Sequence, residues 1–255
     1  MMSKNLWSRE ELLLTLNLYY KISFSKINYK HPAIIKLSKL INRTPSAVAL
    51  KLVNFARLDP SLQSRNISGM KHGAKADEEI WNEYYANLEK LSFESEKILA
   101  AYKNHSIEIS SGIEIENLPK EGKERERLIK TRVNQQFFRL AILASYENKC
   151  CITGLNIPEL LVASHIKPWS KDKKNRMNLS NGLCLNPLHD KAFDSGLITI
   201  TSDYKVLLSK RIQKITNSLA KDFLISFTDK KITLPYKYPP DIKFLEYHND
   251  MIFRN

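Results

Sequence analysis

LLVASHI at residues 160–166 and NPLHDKAFDSG at residues 186–196 decide the fold of the second half of the chain. The first is a short apolar run of the kind that forms a buried strand. In the second, Pro187 stands near the start of a short helix and Gly196 stands just past its end, where each residue type favours that position. A strand, a loop and a helix are therefore expected in this order.

The sequence on either side of these stretches extends the pattern. CCIT at residues 150–153 also resembles a strand, and GLITITSDYKVLLS at residues 196–209 predicts a hairpin that turns at Ser202 and Asp203. Upstream, apolar residues recur on one face of a helix predicted over residues 132–146. This half of the chain is thus predicted to mix helices with short strands.

Three polar residues stand at fixed distances within this unit. His165 lies at the end of a predicted strand, Asn181 follows sixteen positions later, and His189 follows a further eight on, at the start of the helix. Histidine has an unperturbed pKa near 6.5, so a large neutral fraction can accept a proton near neutral pH. The helix dipole near His189 disfavours imidazolium and leaves a ring nitrogen suited to a metal ion.

With the words around them, SHIKPW and NGLCLNPLHDKAFD, these residues resemble the HNH endonucleases, whose ββα-metal motif places such a triplet around one divalent cation. The resemblance extends downstream through FDSGLITI, and LPYKYPPDIKFLEYHNDMIF near the C-terminus looks like the tail of bacterial restriction-type HNH proteins. It covers about half the chain. The matching residues upstream of the triplet are Arg132, Gln136, Phe138, Arg139 and Cys150.

The resemblance assigns roles that the chemistry of each side chain supports. His165 is expected to be the general base that deprotonates the attacking water. His189 is expected to bind the metal ion. Asn181 is expected either to give its amide oxygen to the same cation or to hold the backbone beside His165, and the sequence leaves both roles open.

Two positions depart from the common HNH pattern. Ser164 stands where many members have an aspartate or histidine ligand, and Phe193 stands where some have another histidine. A cation with few protein ligands must complete its shell with water and substrate oxygens, which Mg²⁺ tolerates and Zn²⁺ usually does not. We therefore expect Mg²⁺ or Mn²⁺ and no structural zinc, since the three cysteines include no Cys-x-x-Cys pair.

Basic residues between His165 and Asn181 are predicted to hold the DNA backbone, although a lysine-rich loop is often only solvated. These residues are Lys167, Lys171, Lys173, Lys174 and Arg176. On the predicted helix upstream, Arg139 and Gln136 are expected either to face the same DNA or to lie on an ordinary helix surface.

The N-terminal part of the chain reads as helical. A capping box at Ser8 starts a helix over residues 8–21, a second runs over residues 32–41, and a third begins after Thr44. Such a group predicts a helix-turn-helix or Myb-like DNA-binding unit, with a plain helical bundle as the alternative. On the third helix, the residues expected to face DNA, away from the apolar stripe, are Lys51, Asn54 and Arg57.

The predicted organisation is an α+β protein with a helical domain at residues 1–103, a charged linker at 104–131 and an HNH domain with a C-terminal extension at 132–255. Lys and Arg total 40 against 27 Asp and Glu, a formal charge of +13, which favours a polyanion such as double-stranded DNA as partner. No stretch approaches the ~20 apolar residues of a membrane span, and the N-terminus lacks a signal peptide, so no membrane partner and a cytoplasmic location are expected.

The function predicted from these observations is a divalent-metal-dependent HNH endonuclease that hydrolyses DNA phosphodiester bonds, most simply in restriction of foreign DNA and defence against phage. One alternative is a DNA-binding regulator that keeps the ββα fold without catalysis, because Ser164 is a poor metal ligand. Another is a homing-type nuclease with the same chemistry. Cleavage of both strands by one site per chain is consistent with a homodimer, for which the sequence identifies no interface.

Overall fold

The computed structural model of the protein describes residues 6–65 and 74–254. The chain divides into two compact units, Met1–Leu140 and Ala141–Asn255. The first is helical and the second combines short strands with helices, which agrees with an α+β protein. Over the described ranges, no helix combines the length and the apolar character that crossing a membrane requires.

The first unit is built of helices that pack around an aromatic and aliphatic core. The helices, in chain order, are α1 (Arg9–Lys21), α2 (Pro32–Leu40), α3 (Pro45–Leu58), α4 (Pro60–Gln63), α5 (Lys75–Tyr84), α6 (Leu88–Tyr102), α7 (Ile107–Ser110) and α8 (Lys123–Ser145), the last of which continues past Leu140. Single 3-10 turns occur at Phe24–Lys26 and Ile115–Asn117.

Local sequence signals set the starts of the first and third helices as predicted. Ser8 and Glu11 form a capping box at α1, in which each side chain binds the backbone of the other. The Thr44 hydroxyl accepts the backbone N–H of Ala47 at the start of α3. The apolar stripe of α3 is buried, as its spacing predicts.

The polar face of α3 is not a solvent-exposed surface, which corrects the expectation from sequence. Lys51 is 7% exposed, and its ammonium group lies 2.7 Å from the carboxylate of Asp77 on α5. Asn54 donates to the same carboxylate, and Arg57 pairs with Glu78. The face that appears free in the sequence is covered by α5, whose acidic first turn supplies the partners. The helix-turn-helix interpretation of this unit stays a prediction.

The segment predicted as a linker is folded, which is a second correction. Residues 104–131 contain α7, a 3-10 turn and the start of α8, and α8 begins at Lys123 rather than near residue 132. Leu118, Ile129 and Val133 form a buried cluster against neighbouring apolar side chains of the first unit. Because this cluster ties the segment to the helices before it, the division between units falls after Leu140 and not between 103 and 132.

The second unit contains two antiparallel hairpins and several helices. Its elements are β1 (Val162–His165), β2 (Gly182–Leu185), α9 (Pro187–Asp194), β3 (Ile198–Ile200), β4 (Val206–Leu208), α10 (Lys210–Gln213), α11 (Ser218–Phe223) and α12 (Ile242–Met251), with 3-10 turns at Pro158–Leu160, Leu179–Asn181 and Ile225–Phe227. β1 pairs with β2, and β3 pairs with β4. Helix α9 packs against β1, β2 and β3.

The strand predicted over residues 150–153 does not form. These residues make a turn that ends at Gly154, whose φ of +75° suits glycine. The partner of β1 is instead β2, a buried four-residue run just after Asn181. The hairpin predicted downstream is confirmed, with its turn over residues 201–204 between β3 and β4.

The end of α9 is fixed by glycine, as predicted. Gly196 follows the helix with a φ of +68°, and a Cβ there would overlap the carbonyl oxygen of Ile252. His248 on α12 also joins this region, because its ring stacks on Phe193 at 3.6 Å between centres and contacts the hydroxyl of Thr199 at 2.8 Å. The C-terminal helix is therefore an integral support of α9.

Candidate active site

The first hairpin and α9 bring the predicted triplet into one structural unit. His165 is the last residue of β1, opposite Gly182 at the start of β2. Asn181 directly precedes β2, and its backbone carbonyl accepts the N–H of Ile166. His189 lies in the first turn of α9, which follows β2 after one residue and packs on both strands. The topology is therefore strand, loop, strand and helix, with a triplet residue at each junction.

The ring of His165 is held in one tautomer by a backbone carbonyl. Its Nε2 lies 2.9 Å from the carbonyl oxygen of Arg176. A carbonyl oxygen only accepts, so Nε2 carries the proton in this contact and the basic lone pair of the neutral ring is on Nδ1. The edge of the ring also packs against Trp169, with 5.3 Å between ring centres. The ring is thus oriented on two sides.

The environment of His165 favours the neutral imidazole. Burial lowers the pKa of His165 below its usual value near 6.5. The hydrogen bond to the Arg176 carbonyl raises the pKa, but by less. The charge of Arg176 adds to the lowering. A histidine with a lowered pKa is unprotonated at neutral pH and can accept a proton there.

Asn181 uses its amide to clamp the backbone that follows His165. Its Oδ1 accepts the N–H of Lys167 at 2.8 Å, and its Nδ2 donates to the carbonyl of Lys167 at 3.1 Å. The side chain is buried, so these bonds replace the water that the amide would otherwise bind. Of the two roles that the sequence leaves open, the geometry favours positioning of the loop over metal binding.

One ring nitrogen of His189 has no hydrogen-bond partner among the residues that the structure describes. The side chain of Asn186 caps α9, and its Oδ1 accepts the backbone N–H of His189 at 2.9 Å. The same oxygen lies 3.0 Å from Nδ1 of His189, which must therefore donate. In the neutral ring this leaves Nε2 unprotonated, and Nε2 is buried without a hydrogen-bond partner.

Burial also lowers the pKa of His189, with the backbone carbonyl of Phe223 acting in the opposite direction. The ring packs edge-on against Phe227 at 5.5 Å between centres. A neutral ring whose Nδ1–H is held by an amide oxygen and whose Nε2 is unused has the state that a metal-binding histidine requires.

The donor set around His189 is small. Among the residues that the structure describes, no group of three or more His, Cys, Asp or Glu side chains is placed to hold a metal ion. Ser164 is 3% exposed, and its hydroxyl is a second buried atom without a partner. Residues of this kind fit a cation that takes one imidazole and completes its shell with water and substrate oxygens.

The basic loop divides into residues that build the site and residues that face solvent. Lys167 lies 3.1 Å from the carboxylate of Asp172, and Arg176 donates to the carbonyl of Trp169 at 2.8 Å with its guanidinium over the Trp169 ring. These two cations are thus committed to the loop itself. The fully exposed ones are Lys171, Lys173 and Lys174.

The remaining predicted DNA contacts lie in the first unit. Gln136 is exposed on α8 and Arg139 is partly buried on the same helix. Lys51, Asn54 and Arg57 are engaged by acidic residues of α5. Contact of Gln136 and Arg139 with DNA stays a prediction.

Two supporting groups were missed by sequence reasoning. Asn186 was not singled out, although its place before Pro187 is a recognisable helix N-cap signal. The carbonyl of Arg176 carries no signal in the sequence, since any residue there would supply it. Trp169 packs against His165.

Comparison with known families identifies the segment that contains the triplet. Residues 150–201 match the family described as HNH endonuclease. The matched segment includes β1, β2, α9 and β3, together with His165, Asn181 and His189. No curated protein matches the chain.

Proposed function

We propose that the protein is a divalent-metal-dependent endonuclease that hydrolyses phosphodiester bonds of double-stranded DNA. The proposal starts from residues 150–201, which match the HNH endonuclease family. The single observation that carries the proposal is the complementary state of the two histidines. His165 has its basic lone pair on Nδ1, and Nε2 of His189 has no hydrogen-bond partner among the described residues. One ring is prepared to accept a proton and the other to bind a cation.

His165 is the general base in this proposal. Its Nδ1 takes a proton from the water that attacks phosphorus, in line with departure of the 3′ oxygen. The products are a 5′-phosphate and a 3′-hydroxyl. The bond from Nε2 to the Arg176 carbonyl keeps Nδ1 as the basic atom and stabilises the imidazolium that forms.

His189 would hold the cation through Nε2, with Asn186 fixing the ring through Nδ1. A bound divalent cation supplies positive charge to the anionic phosphate and to the leaving oxygen. Mg²⁺ and Mn²⁺ suit the site better than zinc, because so few protein donors surround Nε2. Asn181 acts as a positioning residue, since its bonds to Lys167 fix the chain immediately after His165.

A role in restriction of foreign DNA is supported by the C-terminal resemblance to restriction-type HNH proteins. Helix α12 contains part of that resemblance, and it supports α9 through His248.

A second candidate, a DNA-binding regulator without catalysis, is favoured by one observation. Ser164 is buried and uncharged at a position where other HNH proteins place a metal-binding side chain.

The direct test of the proposed function is cleavage of duplex DNA by the purified full-length chain. We expect cutting with Mg²⁺ or Mn²⁺, none with EDTA, and 5′-phosphate ends that a ligase can join without added kinase. Substrates should include modified phage DNA and unmodified plasmid DNA, because a base modification can be required or can block cutting. Metal-independent binding without cleavage of any substrate would instead support the regulator.

The exposed lysines of the loop should carry phosphate contacts. We expect the double variant Lys173→Gln/Lys174→Gln to lower the slope of log affinity against log salt by about 1.8, because each phosphate contact contributes about 0.9 to the slope. The effect should be equal on unrelated DNA sequences, since phosphate contacts carry no sequence information. Fluorescence anisotropy at several salt concentrations measures both.

The matched control is Lys231→Gln/Lys243→Gln, which removes two exposed lysines of the second unit outside this loop. Net charge falls equally in both variants. An equal loss of slope in the control would mean that the loop lysines act only through the overall charge and not through contacts.

A further inference from the structure

A cleft of about 510 Å³ lies within the first unit, away from the residues of the nuclease triplet in sequence. Helices α2 and α6 both pack on α1, and the cleft is lined by residues of these three helices. Its volume is in the range of sites that hold small organic ligands. Nothing in the proposed nuclease chemistry uses it.

The inner surface of the cleft is aliphatic. The apolar side chains that line it come from all three helices, and they are Leu14, Leu18, Ala33, Leu37, Leu40 and Leu99. The two neutral polar residues of the lining, Asn17 and Ser95, are hydrogen-bonded to each other and are buried. An occupant therefore meets mostly hydrocarbon, and an apolar body is stabilised there by burial.

The charged residues of the lining are strongly unbalanced. Four are lysines, namely Lys21, Lys36, Lys39 and Lys103, and one is an acid, Glu96. Glu96 is 7% exposed, and the hydroxyl of Ser110 donates to its carboxylate at 2.6 Å. Among the described residues none of the four lysines has an acidic partner within 4.0 Å, so the lining carries an excess of unneutralised positive charge.

Lys21 is the inner cation of this group. Burial lowers the pKa of Lys21 to about 8, with the charge of Glu96 opposing that shift and the charge of Lys103 adding to it. Its ammonium group also lies 5.3 Å from the centre of the Phe137 ring. An anion beside Lys21 would stabilise the charged ammonium group that burial and Lys103 disfavour.

We propose that this cleft binds a small amphipathic anion, an aliphatic chain with a carboxylate head that the lysines hold. A nucleotide fits less well for two reasons. The lining residues include no aromatic ring on which a base could stack, and the polar pair Asn17 and Ser95 is already satisfied. A neutral lipid would leave the lysines without a counter-charge.

The probe for the test is dodecanoate, titrated below its micelle concentration into the full-length chain by isothermal titration calorimetry. We expect one site per chain and a rise in melting temperature with ligand concentration. Acetate has the head without the tail, and dodecyltrimethylammonium has the tail with the opposite charge, so neither should bind detectably. Equal binding of dodecyltrimethylammonium would overturn the proposal, because it would show an apolar surface without anion selectivity.

Charge reversal at the exposed lysines of the lining separates specific binding from non-specific hydrophobic adsorption. Lys36→Glu/Lys39→Glu changes two exposed residues of α2 and should weaken dodecanoate at least about tenfold. Lys97→Glu, an exposed lysine of α6 outside the cleft, is the control and should bind like the parent. Unchanged affinity in the double variant would overturn the proposal.

Filling the cleft gives an independent check. Ala33→Phe places a ring into the lining from α2 and should abolish dodecanoate binding in a chain whose circular dichroism is that of the parent. If duplex DNA displaced dodecanoate and Ala33→Phe still bound dodecanoate, the lysines would belong to a nucleic-acid surface. That result would overturn the ligand site. Since the readout is binding, failure of DNA cleavage would leave this result unaffected.

Discussion

Replacing His165 by alanine should lower the rate of DNA cleavage by about 10²–10⁴-fold, the usual contribution of a general base. DNA binding should stay close to that of the parent, because the exposed lysines of the neighbouring loop are unchanged. The variant loses only the group that accepts the proton of the attacking water. Single-turnover cleavage with saturating metal measures the chemical step, and anisotropy without metal measures binding.

The pH profile gives a second readout of the same residue. Catalysis requires neutral His165, so the rate should fall as pH drops through its pKa. Burial holds that pKa below its ordinary value near 6.5, so the fall should begin below pH 6.5 and the rate should be level above it. The His165→Ala variant should lose this dependence and keep only its low residual rate.

His105→Ala is the matched control, since His105 is exposed in the first unit and has no place in the proposed site. It should cut like the parent. If His165→Ala also cut at the rate of the parent, the assignment of the base would be wrong, whatever the fate of the metal site.

Local signals in the sequence predict the elements whose ends are fixed by short-range chemistry. The capping box at Ser8, the Thr44 cap and the Pro187 and Gly196 pair each specify a helix end through bonds or backbone angles within a few residues. The hairpin between β3 and β4 is likewise defined by its turn. These elements form as predicted because no distant contact is needed to choose them.

Elements that depend on distant partners were not predictable in the same way. The strand pattern of residues 150–153 gives way to a turn, because β2 supplies the partner of β1. The charged stretch at residues 104–131 looks like a linker until its few apolar residues pack with Phe93 of α6 and Val133 of α8. Lys51 looks exposed until Asp77, 26 residues away, covers it.

The same division holds for the candidate site. The order of His165, Asn181 and His189 is legible in the sequence, because the hairpin and α9 that hold them are local. The tautomer of each ring is not legible, since it is set by a carbonyl in one case and by a cap oxygen in the other. Sequence therefore predicts which elements carry the three residues, and the structure adds which nitrogen of each ring is basic.

Replacing His189 by alanine should raise the metal concentration needed for half-maximal cleavage by more than about 100-fold, because Asn186→Ala, which only loosens the ring, should cost about 10–100-fold. In the proposed function, Nε2 of His189 is the imidazole donor for the cation, and few other groups among the described residues could replace it. Mn²⁺ binding followed by electron paramagnetic resonance gives a readout that does not depend on cleavage.

Variants at Asn186 separate metal binding from helix stability. Asn186→Asp keeps an oxygen that can cap α9 and accept the Nδ1 proton, so it should bind Mn²⁺ nearly like the parent. Asn186→Ala loses both contacts, and the cap alone is worth about 1 kcal/mol of stability. If all three variants, His189→Ala included, kept the metal dependence of the parent, Nε2 would not be a ligand. The lack of a hydrogen bond at Nε2 would then be an unfavourable contribution to stability that accompanies packing of the ring against Phe227.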